Sequence, residues 1–365
     1  MLAADLKADV QRFATELGFA ECRVAPALPA AHRELYEKWL ADGCHGDMAW
    51  LARDPARRSD PRLVQDGARS VIVLAMNYHQ GESAIAAAAG FRIARYAWND
   101  DYHDLIERKL RALDDFLIGH GGIQRRYVDT GPVLERDFAS AAGLGWNGKS
   151  TMQIHRRLGT WFFLAELITT LDLPADEPGR DLCGRCTRCL DACPTAAITA
   201  PRRLDARRCL SYLTIENKGP IPVEFRHALG DRLYGCDDCL TACPWNRFAQ
   251  VSHEATFQAR EAVFHQPLRD FLSLTDEAFR ALFAKSPIKR IKRPAFLRNV
   301  CVVLGNTGTA ADLPALGLAA RDEHPLIAEH ALWAVREIRS RLEVSLQRVE
   351  VCGADHRHTP PCKGV

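Results

Sequence analysis

Eight cysteines impose the strongest constraint on this chain: Cys183, Cys186, Cys189 and Cys193 in CGRCTRCLDACP, then Cys209, then Cys236, Cys239 and Cys243 in CDDCLTACP. A C-x2-C-x2-C turn presents three thiolates to one iron–sulfur cubane, while the cysteine before the proline ligates the other. The two segments must therefore fold side by side. Leu233 stands three residues before Cys236, where a duplicated motif would place a ligand, and Cys209 is the nearby cysteine left to replace it. The spacing predicts one set of Cys183, Cys186, Cys189 and Cys243, and another of Cys193, Cys209, Cys236 and Cys239. Structural zinc is the rival reading of four-cysteine sets. Two Cys-Pro endings with interleaved ligation favour two [4Fe–4S] clusters, and such a chain moves electrons.

With 365 residues, 47% hydrophobic and 26% charged, the chain has room for two or three domains. A net charge of +2 gives no global reason to bind nucleic acid, so that argument must rest on local patches. The start, MLAADLKADVQRF, carries mixed charge and no apolar signal core, and SVIVLAM at 70–76 is too short to span a bilayer. A reducing cytoplasm is the expectation, with Cys22, Cys44, Cys301, Cys352 and Cys362 as core or tail residues.

Leu2, Leu6, Val10, Phe13 and Leu17 recur at helical spacing before an apolar run from Phe19 to Val24. Ser70 to Tyr78 reads as a buried strand, Tyr102 to Leu117 as an amphipathic helix, and Gln124 to Val128 and Thr160 to Leu171 as strands around a helix beginning near Val133. The fold class expected is a mixed α+β and α/β multidomain protein: an α/β domain over 1–173, a ferredoxin-like module over 174–260, and a helical segment over 261–346. In that segment the run 311–338 is similar to one HEAT-type hairpin, with Pro325 opening its second helix. The tail 347–365 reads as disordered.

GLGWNGKS at 143–150 satisfies the phosphate-loop pattern G-x-x-x-x-G-K-S. A phosphate loop needs a strand before it and a helix after it, so that the phosphates sit on the helix N-terminus. Here a helix over 133–142 precedes, Gly143 caps it, and extended chain follows, which argues against a nucleotide site.

With VDTGPVLERDFA and GLGWNGKST upstream of the cysteines and LTIENKGPIP at 213–222, the chain resembles the epoxyqueuosine reductase family over roughly residues 1–340. The resemblance implies an oxidoreductase that removes the epoxide oxygen of a modified guanosine at the tRNA wobble position, using cobalamin with two [4Fe–4S] clusters. It implies Asp129 as proton donor, at a strand end before a Gly-Pro turn. By residue chemistry alone, Asp129 also suits an ordinary turn aspartate. The D-x-H-x-x-G cobalt-ligating signature is absent, since Asp101-Tyr102-His103 lacks its glycine, so base-off cobalamin is expected.

The same resemblance places Tyr96, His103, Lys149, Ser150 and Gln153 around the cofactor, and Ser211, Asp237 and Asp238 beside cluster ligands. Arg53 and Arg57 suit corrin carboxamides, tRNA phosphate or a solvated loop equally. Glu135, Arg136 and Asp137 read as a solvated, dipole-compensating helix face and stay outside catalysis. Lys285, Lys289, Arg290, Lys292, Arg293 and Arg298 follow one another without an acidic residue, a run able to neutralise several tRNA phosphates. Asn217 and Lys218 are candidates nearer the wobble base. A single chain served by an unidentified electron donor is expected. The rivals are a non-catalytic electron-transfer subunit, a tRNA-binding protein with structural metals, and a dehalogenase-like cobalamin enzyme.

Overall fold

The structure, a computed structural model, describes residues 3–354, with side chains to Val344. Its centre is a four-stranded sheet in which Glu21–Pro26, Ser70–Asn77, Phe162–Thr169 and Gln124–Tyr127 lie in that order. Every pairing is antiparallel, with Val73 and Tyr127 opposite Glu166 on either side. Alternating helices and strands thus build an antiparallel layer here, not the parallel sheet such alternation most often signals.

Helices cover both faces. Leu6, Val10 and Ala14 of the Ala3–Glu16 helix, with Leu105, Ile106, Leu110 and Leu113 of Tyr102–Ile118, pack on Ile72, Leu74 and Leu167. Phe138 and Ala139 of the short Glu135–Ala141 helix pack on Val71, Val73 and Ile168 across the other face. Strand alternation sorts the two sets, since successive side chains point to opposite faces.

The expected boundary near residue 260 is crossed by a shared core. Leu210, Leu213, Leu229 and Leu233 from the cysteine region bury against Val300, Leu304, Ala334 and Ile338 from the helices. Strand Arg232–Tyr234 pairs in parallel with Arg92–Ile93, tying this region to the first domain. Pro325 opens a helix as expected, but that helix runs Pro325–Ala354 and so takes in 347–354, which the sequence reading assigned to a disordered tail. Good helix formers such as Glu343, Leu346, Gln347 and Arg348 account for the extension. Residues 355–365, with Cys362, lie outside the described part. Cys22 and Cys301 are buried thiols, and Cys44 is half-buried. Among the described residues no helix is long and apolar enough to cross a membrane.

Candidate active site

Two short helices, Arg188–Asp191 and Asp238–Thr241, hold the cysteine segments in matching turns. Cys193 N donates to Leu190 O at 3.2 Å and Cys243 N to Leu240 O at 3.0 Å. The Cys243 thiol lies within electrostatic reach of Cys183, Cys189 and Cys186, and the Cys239 thiol within reach of Cys209, Cys236 and Cys193. All eight are free thiols. Among the described residues no three His, Cys, Asp or Glu side chains are placed to hold a metal ion. Trp146 Nε1 donates to Cys183 Sγ at 3.4 Å, and Ala197 N donates to Cys193 Sγ at 3.2 Å.

Asp129 follows the end of strand Gln124–Tyr127 in a left-handed conformation, φ 59°, and 61% of its side chain is exposed. The turn beyond it folds onto the Tyr127 ring so closely that a Cβ at position 131 would meet the ring at 2.3 Å, which is why Gly131 stands there. Arg58, which the sequence reading passed over, ties the turn down by donating to Gly131 O at 2.9 Å.

Tyr102 Oη donates to Asp129 Oδ2 at 2.7 Å. Behind it runs a file of rings: Tyr102 stacks on Phe163 at 4.0 Å between centroids, Phe163 lies 4.5 Å from Tyr78, and Tyr78 is within the field of Cys239. His103 stacks on Tyr102 at 4.1 Å, and its Nδ1 meets Asp101 Oδ1 at 2.6 Å. Burial opposes the charge on His103, but the bond and field of Asp101 prevail and raise its pKa above the usual value. Among the described residues His103 Nε2 is buried without a hydrogen-bond partner, 3.8 Å from Asp129 Oδ2. Tyr96 completes the shelf, edge-on to Tyr102 at 6.1 Å.

Other expected site residues are distributed less simply. The Lys149 ammonium donates to Gly184 O at 2.7 Å and Cys186 O at 2.9 Å, so it staples the cysteine loop. The glycine loop around it is a hairpin: Gly143 caps the preceding helix, and Trp146–Asn147 pairs with Gln153–Ile154. This arrangement offers no helix N-terminus for a phosphate, as the sequence context implied. Ser150 is buried and accepts from Met152 N, and buried Gln153 pairs with Ser140. Asp238 forms ion pairs with Arg232 and Arg92. Asp237 accepts from Arg95 N at 2.7 Å, and burial pushes its carboxyl up to about 6. Ser211 is half-buried beside Cys209, and Arg53 is exposed.

The basic run divides. Lys285, Lys289, Arg290 and Lys292 are exposed. Asp101 N donates to Lys285 O, and the Arg290 charge acts on Glu216, Tyr96 and Asp129, so this stretch borders the Asp129 site. Arg298 is fully buried and corrects the expectation of a phosphate contact. Its guanidinium donates to Leu213 O, Asn217 O, Gly219 O and Asn299 Oδ1, holding the ENKGP loop from inside. Arg293 is likewise spent on Leu274 O and Asp322. Asn217 caps its own turn through Gly219 O and Pro220 O, while the Lys218 side chain is exposed.

A family model described as 4Fe-4S double cluster binding domain matches residues 182–246, and one described as Epoxyqueuosine reductase QueG, DUF1730 matches residues 58–130. The chain is similar to the epoxyqueuosine reductase of Salmonella typhimurium, 39% identical over 339 residues that span 91% of this chain and 88% of that protein. To that of Pseudomonas aeruginosa it is 40% identical over 345 residues, 91% of this chain and 94% of the other. Among solved structures it is similar to an epoxyqueuosine reductase crystallised with an epoxyqueuosine-modified tRNA-Tyr stem loop, with a TM-score of 0.85 and 31% identity over 92% of this chain and 91% of that one. Cysteine sets, sheet and aspartate turn thus occur in a chain related along nearly its whole length to enzymes of one activity, and it belongs to the epoxyqueuosine reductase family.

Proposed function

We infer that this oxidoreductase reduces epoxyqueuosine to queuosine at the wobble position of tRNA. The observation that carries the reading, beyond family membership, is the Asp129 carboxyl held by Tyr102 at the end of a ring file whose far member, Tyr78, is within the field of Cys239. The reaction takes up two electrons and two protons, breaks both C–O bonds of the epoxide and releases water with an alkene. Clusters on the two cysteine sets and base-off cobalamin would supply, respectively, single electrons and a cobalt centre able to act on carbon.

The residues present fit such a cofactor: Tyr96, Tyr102 and His103 give flat aromatic faces, and the buried, unpartnered His103 Nε2 gives a polar anchor. Asp129 protonates the leaving oxygen, which is the general-acid role its position beyond the strand end suits. Tyr102 fixes which carboxyl oxygen is occupied and leaves the other to face the substrate. His103, which Asp101 helps to keep protonated, passes a proton to Asp129 after its first transfer, so that Asp129 delivers both protons that the released water needs. Lys285, Lys289, Arg290 and Lys292 hold phosphates of the anticodon arm, and Lys218 lies on the loop nearest the modified base. The division into a catalytic domain to about 173, a cluster module to 260 and a helical tRNA-binding part to 346 is a division of labour over a shared core.

The test is anaerobic incubation of cluster-loaded protein, low-potential reductant and cobalamin with epoxyqueuosine-containing stem loop. Nucleoside mass spectrometry should show loss of one oxygen. Intact, reducible clusters with no such loss would leave an electron-transfer subunit as the better reading.

A further inference from the structure

Glu166 occupies the middle of the central strand and is fully buried. Alternation turns it to the face shared by Val73, Tyr127, Phe138 and Ile168, an apolar layer where a carboxyl costs stability unless it is bonded. Neither of its oxygens meets a donor among the described residues. The group in contact is the Glu135 carboxyl. Two carboxylates cannot both stay ionised in such a place, but with one proton between them they form a hydrogen bond. Glu135 Oε1 in turn accepts the Asp129 N–H at 2.7 Å. Glu135 is therefore not the solvated helix face that its sequence position suggests.

We propose that Glu166 keeps its proton and donates it in a hydrogen bond to Glu135, and that this carboxyl pair holds the Asp129 turn in its working conformation. The inference rests on the reading of Asp129 as the acid. Burial first, then the neighbouring carboxyls, raises the pKa of both members, which favours the shared proton at neutral pH. Among the described residues the other titratable and charged groups facing the pair are Asp129, Tyr102, Arg136 and Tyr127, which stands opposite Glu166 across the strands. No proton is consumed by this device: the one given to the substrate leaves from Asp129, and the one between Glu135 and Glu166 stays. Both residues are positioning residues, since their contact with the reacting atoms runs through the Asp129 backbone.

Infrared spectroscopy of the full cluster-loaded chain should show a neutral carboxylic-acid carbonyl stretch that shifts in D2O and disappears in Glu166→Gln. That variant still donates, through its amide, and should keep the wild-type kcat and slow amide exchange over residues 128–135. Glu166→Leu should lose the donor, speed exchange there about tenfold and lower kcat about tenfold at unchanged KM, the loss expected for one hydrogen bond to a charged group. Glu135→Gln, a second variant that keeps the fold, should retain a neutral-acid band, because burial is the first cause that keeps the proton on Glu166, and loss of the band there would overturn that assignment. Persistence of the band in Glu166→Gln, or exchange in Glu166→Leu equal to wild type, overturns the proposal. Failure of the underlying reading looks different: the wild type itself then gives no turnover, while the infrared and exchange results still report on the pair.

Discussion

Tyr102 Oη lies 2.7 Å from Asp129 Oδ2 while the Tyr102 ring stacks on Phe163, 4.0 Å away, so one residue joins the acid to the aromatic file of Phe163 and Tyr78. The two functions of Tyr102 separate on substitution. Tyr102→Phe keeps the stacking and loses the hydroxyl, a charged hydrogen bond worth about 1.5–3 kcal/mol. A fall in kcat of about tenfold or more, with unaltered melting and unaltered cluster absorbance, is expected. Wild-type kcat in that variant would remove Tyr102 from the orientation of Asp129.

Buried Arg298 and exposed Lys289 occur in one basic run but should answer different assays. Arg298→Ala leaves four carbonyl acceptors facing a hole and should destabilise the protein by about 3–5 kcal/mol in chemical denaturation. Lys289→Ala should leave stability alone, weaken stem-loop binding and flatten the plot of log affinity against log salt by about 0.7–0.9. Equal salt slopes for wild type and Lys289→Ala would exclude it from phosphate contact.

Cys209→Ala tests the interleaved sets. Iron content should fall by about half, and the electron paramagnetic resonance of the reduced protein should retain one cluster signal. Unchanged iron would show that Cys209 is not a ligand.

Lys149→Ala should release the Gly184 and Cys186 carbonyls and accelerate iron loss to a chelator, with ATP affinity absent in both proteins. Equal rates of iron loss would remove the stapling role.

His330 links stability to pH. Its Nε2 accepts from Ile221 N at 3.1 Å and its Nδ1 donates to Leu326 O at 2.7 Å, so the folded state needs a neutral ring. Burial first, then the Arg226 charge, lowers its pKa to about 4, with Glu329 and Arg298 the other charges acting on it. An unfolded histidine titrates near 6.5. The unfolded state thus binds the proton first, and stability falls as pH drops from about 6.5 towards 4, by up to about 3 kcal/mol. Denaturant midpoints for wild type should decline through that window more steeply than those for His330→Gln; parallel curves would contradict the assignment.

Much of this site can be read from residue order because its parts are local. The cysteine spacing forces the clustering of thiols whatever surrounds them, and the strand Ser70–Asn77 announces itself as an unbroken apolar run. The glycine loop is excluded as a phosphate site by the helix before it. What escaped the sequence depends on partners far along the chain. Glu166 appears as one acid in the strand FFLAELIT, and nothing local says that it is buried against Glu135. Arg298 shares its composition with the exposed lysines before it, and only the carbonyls of residues 213–219 distinguish it. The antiparallel sheet escaped for a related reason, since strand order is set by which helices cover which face.

The central claim, that Asp129 serves a cobalamin-dependent reduction, is tested most directly by single-turnover assays of wild type and Asp129→Asn with epoxyqueuosine stem loop, each with and without cobalamin. Cobalamin-dependent loss of one oxygen by the wild type, with Asp129→Asn binding cobalamin and RNA equally but turning over at least about a hundredfold more slowly, is the predicted result. Equal rates for the two proteins, or equal rates with and without cobalamin, would contradict it.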